Sequence, residues 1–373
     1  MFEKEQPLKK IIVSVTNDLT GDQRVHRVCL TLTGMGFQVL LTGRKLPASL
    51  PLKPVGYATR RMQLIFNKGP LFYAEYNCRL FFFLLFSTFD LLLSNDLDTL
   101  PANRLAALLK SLPVVYDSHE FFTEVPELQE RPLVRRIWEW LEKQLVPRVS
   151  QAYTVCESIA KIYTEKYGIP FRVVRNLPFA APPPETDQAL QENRPLKIIY
   201  QGALNKGRGL EQAIDAMQYL PEAKLIIAGT GDLDRTLRQQ ASERKLQNVE
   251  FTGKLAPEVL RELTRKAHLG ISVEEDLGLN YRYALPNKLF DYIQARIPVV
   301  VSDLPEMRAV VEGYDIGLIT PSHDPEILAV IFKKALTNQV LRQRWSENLE
   351  TAAAELTWEK EQEVIKQIFG KYI

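Results

Sequence analysis

Short apolar runs, many of them β-branched, recur along the chain and alternate with longer stretches whose apolar positions fall three or four apart. In the first half, IIVSVT (11–16), FQVLLT (37–42), MQLIF (62–66), DLLLS (90–94), PVVYD (113–117), AYTV (152–155) and RVVRN (172–176) predict strands. Val25, Val28, Leu32 and Met35 share one face of a predicted helix after the first strand. Continuously apolar strands are buried on both faces. Alternating with helices, they predict a parallel sheet covered on both sides.

The pattern stops at LPFAAPPPETDQALQENRP (177–195), which is too proline-rich and polar to continue a helix or a central strand. It then restarts with LKIIYQG (196–202), AKLIIAG (223–229), NVEFTG (248–253), LGISV (269–273), IPVVVSD (297–303) and IGLIT (316–320). The expected fold class is α/β, with two Rossmann-like, doubly wound domains facing a central cleft. The first domain covers 1–177, the linker 178–195 and the second domain 196–355. A helix near 356–373 is expected to return to the first domain, with Leu356, Val364, Ile368 and Phe369 as candidate buried positions. In this architecture ligands bind beyond the carboxyl ends of the strands.

A length of 373 residues suits two domains, and 46% hydrophobic with 25% charged residues is ordinary globular composition. A net charge of +2 does not suit a dedicated nucleic-acid binder, so no nucleic-acid partner is expected. The charge is uneven, however. Residues 1–177 carry 23 Lys and Arg against 17 Asp and Glu, and the remainder has an acidic excess of four. Three scattered cysteines form no metal spacing and no disulfide framework, which points to a reducing, cytoplasmic setting. The start MFEKEQPLKK carries no apolar export signal, and Asp90 interrupts the greasy stretch at 80–93, so no transmembrane segment is expected. The segment RPLVRRIWEWLEKQLVPR (131–148) interleaves arginines with Trp138 and Trp140, which suits either an anionic membrane surface or a core helix.

The candidate chemistry lies in a few turns. In Tyr200-Gln-Gly-Ala-Leu-Asn-Lys-Gly-Arg-Gly-Leu-Glu211, Gly202, Gly207 and Gly209 permit close backbone approach, and Lys206 and Arg208 add positive charge. That composition suits a phosphate group at a helix amino end, and equally a solvated surface turn. In Ala284-Leu-Pro-Asn-Lys-Leu-Phe-Asp-Tyr292, a helix is expected to begin at Pro286. The amides of Asn287, Lys288 and Leu289 and the Lys288 ammonium would form a second anion site there. Asp291, one turn in, suits vicinal hydroxyls such as those of a ribose, or serves only as a favourable first-turn charge. His119 follows the strand PVVYDS and is expected in the cleft, whereas His26 between Arg24 and Arg27 is expected at the surface. Asp96-Leu-Asp98 is read as polar lining or a helix cap rather than a metal site.

Taken in order, these motifs resemble the family-4 retaining glycosyltransferases of GT-B fold. The resemblance also includes Ala228-Gly-Thr-Gly-Asp232, Val249-Glu-Phe-Thr-Gly253, Asp22-Gln-Arg-Val-His-Arg27, Tyr116-Asp-Ser-His-Glu120 and Arg175-Asn-Leu-Pro178, and it spans essentially the whole chain. It implies a nucleoside-diphosphate-sugar donor on the second domain. Arg208 would lie on the diphosphate, Gly229 and Gly231 against the nucleotide, Gly253 and Lys254 near the base, and Asp291 on the ribose. His119 would stand beside the transferred sugar. A saccharide or lipid-linked acceptor is expected on the first domain near Gly21, Arg24, Arg27, Asn95, Asp96 and Asp98. Two positions depart from the family pattern. Ala203 stands where many members carry arginine, and Tyr283 where the first glutamate of the Glu-seven residues-Glu motif would fall. The implied reaction is metal- and cofactor-independent transfer from a UDP-hexose with retention by front-side attack, with Arg208 and Lys288 stabilising the leaving phosphate. The alternative is a non-catalytic sugar-nucleotide-binding subunit on the same scaffold.

Overall fold

A computed structural model describes residues 8–129, 131–183 and 195–373. The linker residues 184–194 lie outside the described residues. Two compact units divide the chain: Met1–Asn176 with Glu361–Ile373, and Leu177–Lys360.

The sheet of the first unit contains β1 (Lys10–Asp18), β2 (Gln38–Lys45), β3 (Ala58–Gln63), β4 (Leu91–Asn95), β5 (Val114–Ser118), β6 (Gln151–Thr154) and β7 (Phe171–Val173). Its order is β3-β2-β1-β4-β5-β6-β7, and every neighbouring pair is parallel. β4 and β5 are buried along their full length, with apolar starts Leu91–Leu93 and Val114–Tyr116 and polar carboxyl ends. The strand expected at 62–66 sits at 58–63 instead. The amides of Ile65 and Phe66 bond the Glu75 carboxylate rather than a neighbouring strand, and both side chains are exposed.

The helices of this unit include α1 (Gln23–Gly34), α2 (Gly69–Phe86), α3 (Leu100–Lys110) and α4 (Pro132–Leu145). Asp22 caps α1 by accepting from the Val25 amide at 3.1 Å. Met35 falls beyond the helix end as its cap residue. The greasy stretch at 80–93 divides between the end of α2 and β4. α2 buries Phe72, Tyr76, Leu80 and Leu84 at four-residue spacing and leaves Phe82 and Phe86 exposed. No described helix is long and apolar enough to cross a membrane.

The second unit holds β8 (Leu196–Gln201), β9 (Ala223–Ala228), β10 (Val249–Gly253), β11 (Leu269–Ser272), β12 (Val299–Ser302) and β13 (Gly317–Thr320). They form a parallel sheet of order β10-β9-β8-β11-β12-β13. Its helices include α5 (Leu210–Ala216) and α6 (Asn287–Gln294). Tyr292 of α6 is fully buried, and its hydroxyl accepts from the Gln201 amide at 3.2 Å, which ties the helix to the end of β8.

The last α-helix is α7 (Trp358–Phe369), separated at Leu356 and Thr357 from the helix Gln339–Glu355. Ile365, Ile368 and Phe369 are buried, while Val364 is only partly so. The last turns belong to the first unit. There the Phe369 ring meets Phe37 edge-on at 6.4 Å, and Glu361 pairs with Arg175 at 2.7 Å.

Strand order reverses between β1 and β4 in one sheet and between β8 and β11 in the other. At such a reversal the adjoining loops part to opposite sides and leave a crevice at the carboxyl ends of the strands.

Candidate functional site

In the second unit, the loops after β8, β9 and β10 are laced into one shelf. The Gly202 amide donates to Ala228 O at 3.0 Å, and the Gly229 amide to Gly253 O at 2.9 Å. Gly229 has φ +151°, and a Cβ there would stand 1.8 Å from Gly202 O. Gly209 has φ +66°, and its Cβ would stand 2.0 Å from Val273 O. These glycines, together with Gly207 and Gly231, are required by the packing of the loops on one another, before any ligand is considered. Gly202 and Gly253 have no tight neighbour at the Cβ position, and Lys254 is exposed just beyond.

Arg208 and Lys288 converge on one buried carboxylate. Glu274, two residues past β11, has no exposed surface. Its Oε1 lies 2.5 Å from Lys288 Nζ and 3.8 Å from an Arg208 guanidinium nitrogen. Ser272 Oγ donates to its Oε2 at 2.8 Å. Burial favours neutral Glu274, but Lys288, Ser272 and Arg208 outweigh it and hold the carboxyl below its ordinary value. Lys288 was expected as an open cation at the start of α6. It is instead buried, over the Tyr200 ring at 4.1 Å, because the first turn of α6 directs it inward to Glu274. Arg208 keeps about a third of its surface exposed, and its Nε has no partner among the described residues.

Pro286 precedes α6 as its cap residue, and Asn287 is exposed in the first turn. The Leu289 side chain is in the core, so only its backbone is available to a ligand. Asp291 accepts from Gln201 Nε2 at 2.8 Å, and Gln201 in turn accepts from Thr264 Oγ1 at 2.7 Å. The Asp291 carboxylate is therefore held at the end of β8, beside Gly202.

The first unit carries a second polar cluster at the β1–β4 reversal. His119 Nε2 lies 3.1 Å from Asp117 Oδ2 and 3.3 Å from Asn95 Oδ1, and its Nδ1 lies 3.4 Å from Asp96 Oδ2. Asp96, at φ +57°, also accepts from the His119 amide at 2.8 Å. Burial opposes a charge on His119, but Asp96 and Asp117 outweigh it and raise the imidazole to about 10. Both ring nitrogens face carboxylates, which favours the protonated imidazole. Burial and Asp96 push Asp98 up to about 7. The carboxylates of Asp96 and Asp98 turn to different partners, since Asp98 Oδ2 accepts from Thr16 Oγ1 at 2.6 Å.

Two residues expected on the acceptor side are buried. Arg24 is 3% exposed and grips Asp117 with two hydrogen bonds, Nε–Oδ2 at 3.1 Å and NH2–Oδ1 at 2.8 Å, while its third nitrogen donates to Val174 O. Arg27 is buried against Asn176. The inward face of α1 carries both to the sheet end. Gly21 is exposed with open space around it. His26 is half-buried, with Nδ1 2.8 Å from the Tyr57 hydroxyl.

Glu274, Gln201 and Asp117 organise these clusters, yet none was singled out as a site residue. Each is a polar residue at or just beyond the end of a predicted strand, and that position was the available signal.

Two family models match the chain. "Glycosyl transferase 4-like domain" covers residues 21–180, and "Glycosyl transferases group 1" covers 184–351. Phosphatidyl-myo-inositol mannosyltransferase of Mycobacterium leprae is 28% identical over 158 residues, which are 40% of this chain and only 39% of that protein. Among solved structures, sucrose-phosphate synthase from Thermosynechococcus elongatus is similar, with TM-score 0.77 at 16% identity over 97% of this chain and 98% of that one. The Anabaena protein HepE in complex with UDP-glucose gives 0.73 at 15% identity over 97% and 100%. WaaG, a glycosyltransferase involved in lipopolysaccharide biosynthesis, gives 0.72 at 15% over 96% and 100%. At these identities the likeness establishes a shared fold.

Proposed function

Because the chain belongs to the family-4 glycosyltransferases of GT-B fold, we propose that it transfers a hexose from UDP to a saccharide or lipid-linked acceptor with retention of anomeric configuration. The observation that carries this reading is the convergence of Arg208 and Lys288 on Glu274 at the β8–β11 reversal. Two cations on one carboxylate leave a net positive charge beside the amino end of α6. A diphosphate gains negative charge there as its bond to the sugar breaks. These groups would stabilise the leaving phosphate without a divalent cation. Asp291, held by Gln201, suits the ribose hydroxyls, and Gly253 and Lys254 lie at the end of β10, where a base would rest.

Since Asp96 and Asp117 favour a protonated His119, a leaving-phosphate oxygen is the better acceptor for the incoming hydroxyl's proton. That geometry is front-side attack. HepE, solved with UDP-glucose, supports uridine as the base to try first. The test is transfer from a panel of nucleotide sugars in the presence of EDTA. The expected result is undiminished transfer from a UDP-hexose, with the product keeping the donor's anomeric configuration. An inverted product rejects the mechanism. Donor binding without hydrolysis or transfer supports a binding subunit instead, a reading favoured by Ala203 in place of the family arginine.

We also place the first unit against a membrane surface, on the inner face if the acceptor is lipid-linked. α4 buries Trp138, but its outer side exposes Leu133, Ile137 and Trp140 beside Arg136 and Lys143. Neighbouring α3 exposes Leu105, Leu108 and Leu109. Apolar side chains interleaved with cations suit anionic lipid. The protein is expected to co-sediment with phosphatidylglycerol vesicles but not with pure phosphatidylcholine, and the I137D/W140D double variant should lose that binding. Equal sedimentation of both proteins would remove the idea.

A further inference from the structure

We propose that the cavity of the first unit is a binding site for an amphiphile, with a hydroxyl-bearing head on Asp98 and a single hydrocarbon chain along α4. Calling this ligand the acceptor rests on the glycosyltransferase reading; the site itself does not. The cavity has a volume of about 830 Å³ and lies wholly within the first unit, at the carboxyl ends of β1, β4 and β5. Its lining divides by chemistry.

The polar part includes Asn17, Asn95, Asp96, Asp98 and His119. Asp98 is only 7% exposed and its two carboxylate oxygens differ. Oδ2 accepts from Thr16 at 2.6 Å, whereas Oδ1 has no hydrogen-bond partner among the described residues. The backbone carbonyl of the same residue is engaged by Asn77 Nδ2 at 2.7 Å, so the position is fixed at both ends. A buried carboxylate oxygen without a partner is costly in the unliganded protein. Asp98 lines the cavity, so a ligand hydroxyl that reaches its carboxyl would supply the missing partner. With its ionisation raised to about 7 by burial and by Asp96, the carboxyl can both accept from and donate to such a hydroxyl near neutrality.

The apolar part is a stripe of α4. Val134, Ile137, Trp138 and Leu141 fall at i, i+3, i+4 and i+7, so they share one helix face, and all line the cavity. Seven residues of helix span about 10 Å, enough for an octyl-sized chain. Phe72 and Phe122 add to the same lining. Ile137 is also 59% exposed, so the cavity reaches the surface beside Leu133 and Trp140, both on the proposed lipid-facing side of α4. A chain can therefore enter from a bilayer while its head stays in the polar half.

The test uses hexyl and octyl β-glucoside as probes, titrated below their micelle-forming concentrations into the full chain by calorimetry. UDP binding is measured on the same samples. One saturable site is expected, with the octyl compound roughly tenfold tighter than the hexyl, as burial of two methylenes allows. Asp98→Asn should weaken both probes by a similar factor of about ten and keep the chain-length preference. Val134→Asp should erase the preference. Variants are compared only where their melting temperature matches the wild type. Absence of a saturable site, a preference that survives Val134→Asp, or full affinity in Asp98→Asn each overturns the proposal. Retained glycoside binding in a protein that neither binds nor uses UDP-sugars would leave this site standing and remove the glycosyltransferase reading.

Discussion

Arg208→Ala is expected to lower kcat for sugar transfer by about 10²–10³-fold, with a much smaller loss of UDP affinity. Removing one preorganised donor to a developing anion typically costs that much. The asymmetry arises because the charge on the phosphate grows as the bond to the sugar breaks, so the guanidinium binds the transition state better than the ground state. Arg208 is the informative partner. It is partly exposed and its 3.8 Å contact with Glu274 is loose, so the alanine variant should fold normally. Lys288→Ala is less clean, because it removes the close 2.5 Å partner of a fully buried carboxylate. Steady-state kinetics beside UDP titration separate the two effects. Wild-type kcat in Arg208→Ala would mean that the convergence on Glu274 has no part in the chemistry.

The largest expected effect on stability is at Asp117. This side chain is fully buried and receives two bonds from Arg24 and one from His119. Burial would raise its pKa, yet Arg24 and His119 outweigh burial and bring it down to about 2. Asp117→Asn keeps the volume but leaves two buried cations short of a counter-charge, at a cost of about 3–5 kcal/mol. For a unit of this size that is a fall of roughly 10 °C in its melting transition. An unshifted transition would show that the pair contributes nothing net.

The same cluster sets a pH dependence with a definite sign. His119 has a raised pKa, so its stabilisation is complete below the unfolded value near 6.5 and is lost as pH climbs toward about 10. Asp117 has a lowered pKa, so its contribution is present above the unfolded value and is lost as pH falls toward about 2. Raised Asp98 acts in the same direction as His119, losing stability as pH passes through about 7. Melting of the first unit should therefore be highest on the acid side of neutrality. A melting curve that rises steadily to pH 9 contradicts this assignment.

Much of the fold was legible because its information is local. Val13, Leu92 and Val115 sit in the short apolar stretches Ile11–Val13, Leu91–Leu93 and Val114–Tyr116, which suit a strand buried on both faces. The same logic located β8, β9 and β11. It misplaced β3, an edge strand whose end is decided by where Glu75 reaches from α2. The site was legible in part. Arg208, Lys288, Asp291 and His119 stand at strand ends or helix starts, and the turn residues around them mark those positions. What each one faces was not legible. Lys288 read as an open cation and is buried. Arg24 and Arg27 were expected near an acceptor, and their burial against Asp117 and Asn176 carried no local signal.

The amino-acid sequence by itself determined two α/β units, the alternation of their elements and the loops that carry the chemistry, since each of these follows from which side of a strand or helix must leave water. Only the tertiary structure decided the partnerships. Arg24 meets Asp117 across 93 residues, Thr16 meets Asp98 across 82, and Glu274 meets Lys288 across 14. A charged side chain carries no local signal of its partner. Its partner is chosen when the sheet order brings the carboxyl ends of distant strands together and burial leaves each charge to find an opposite one.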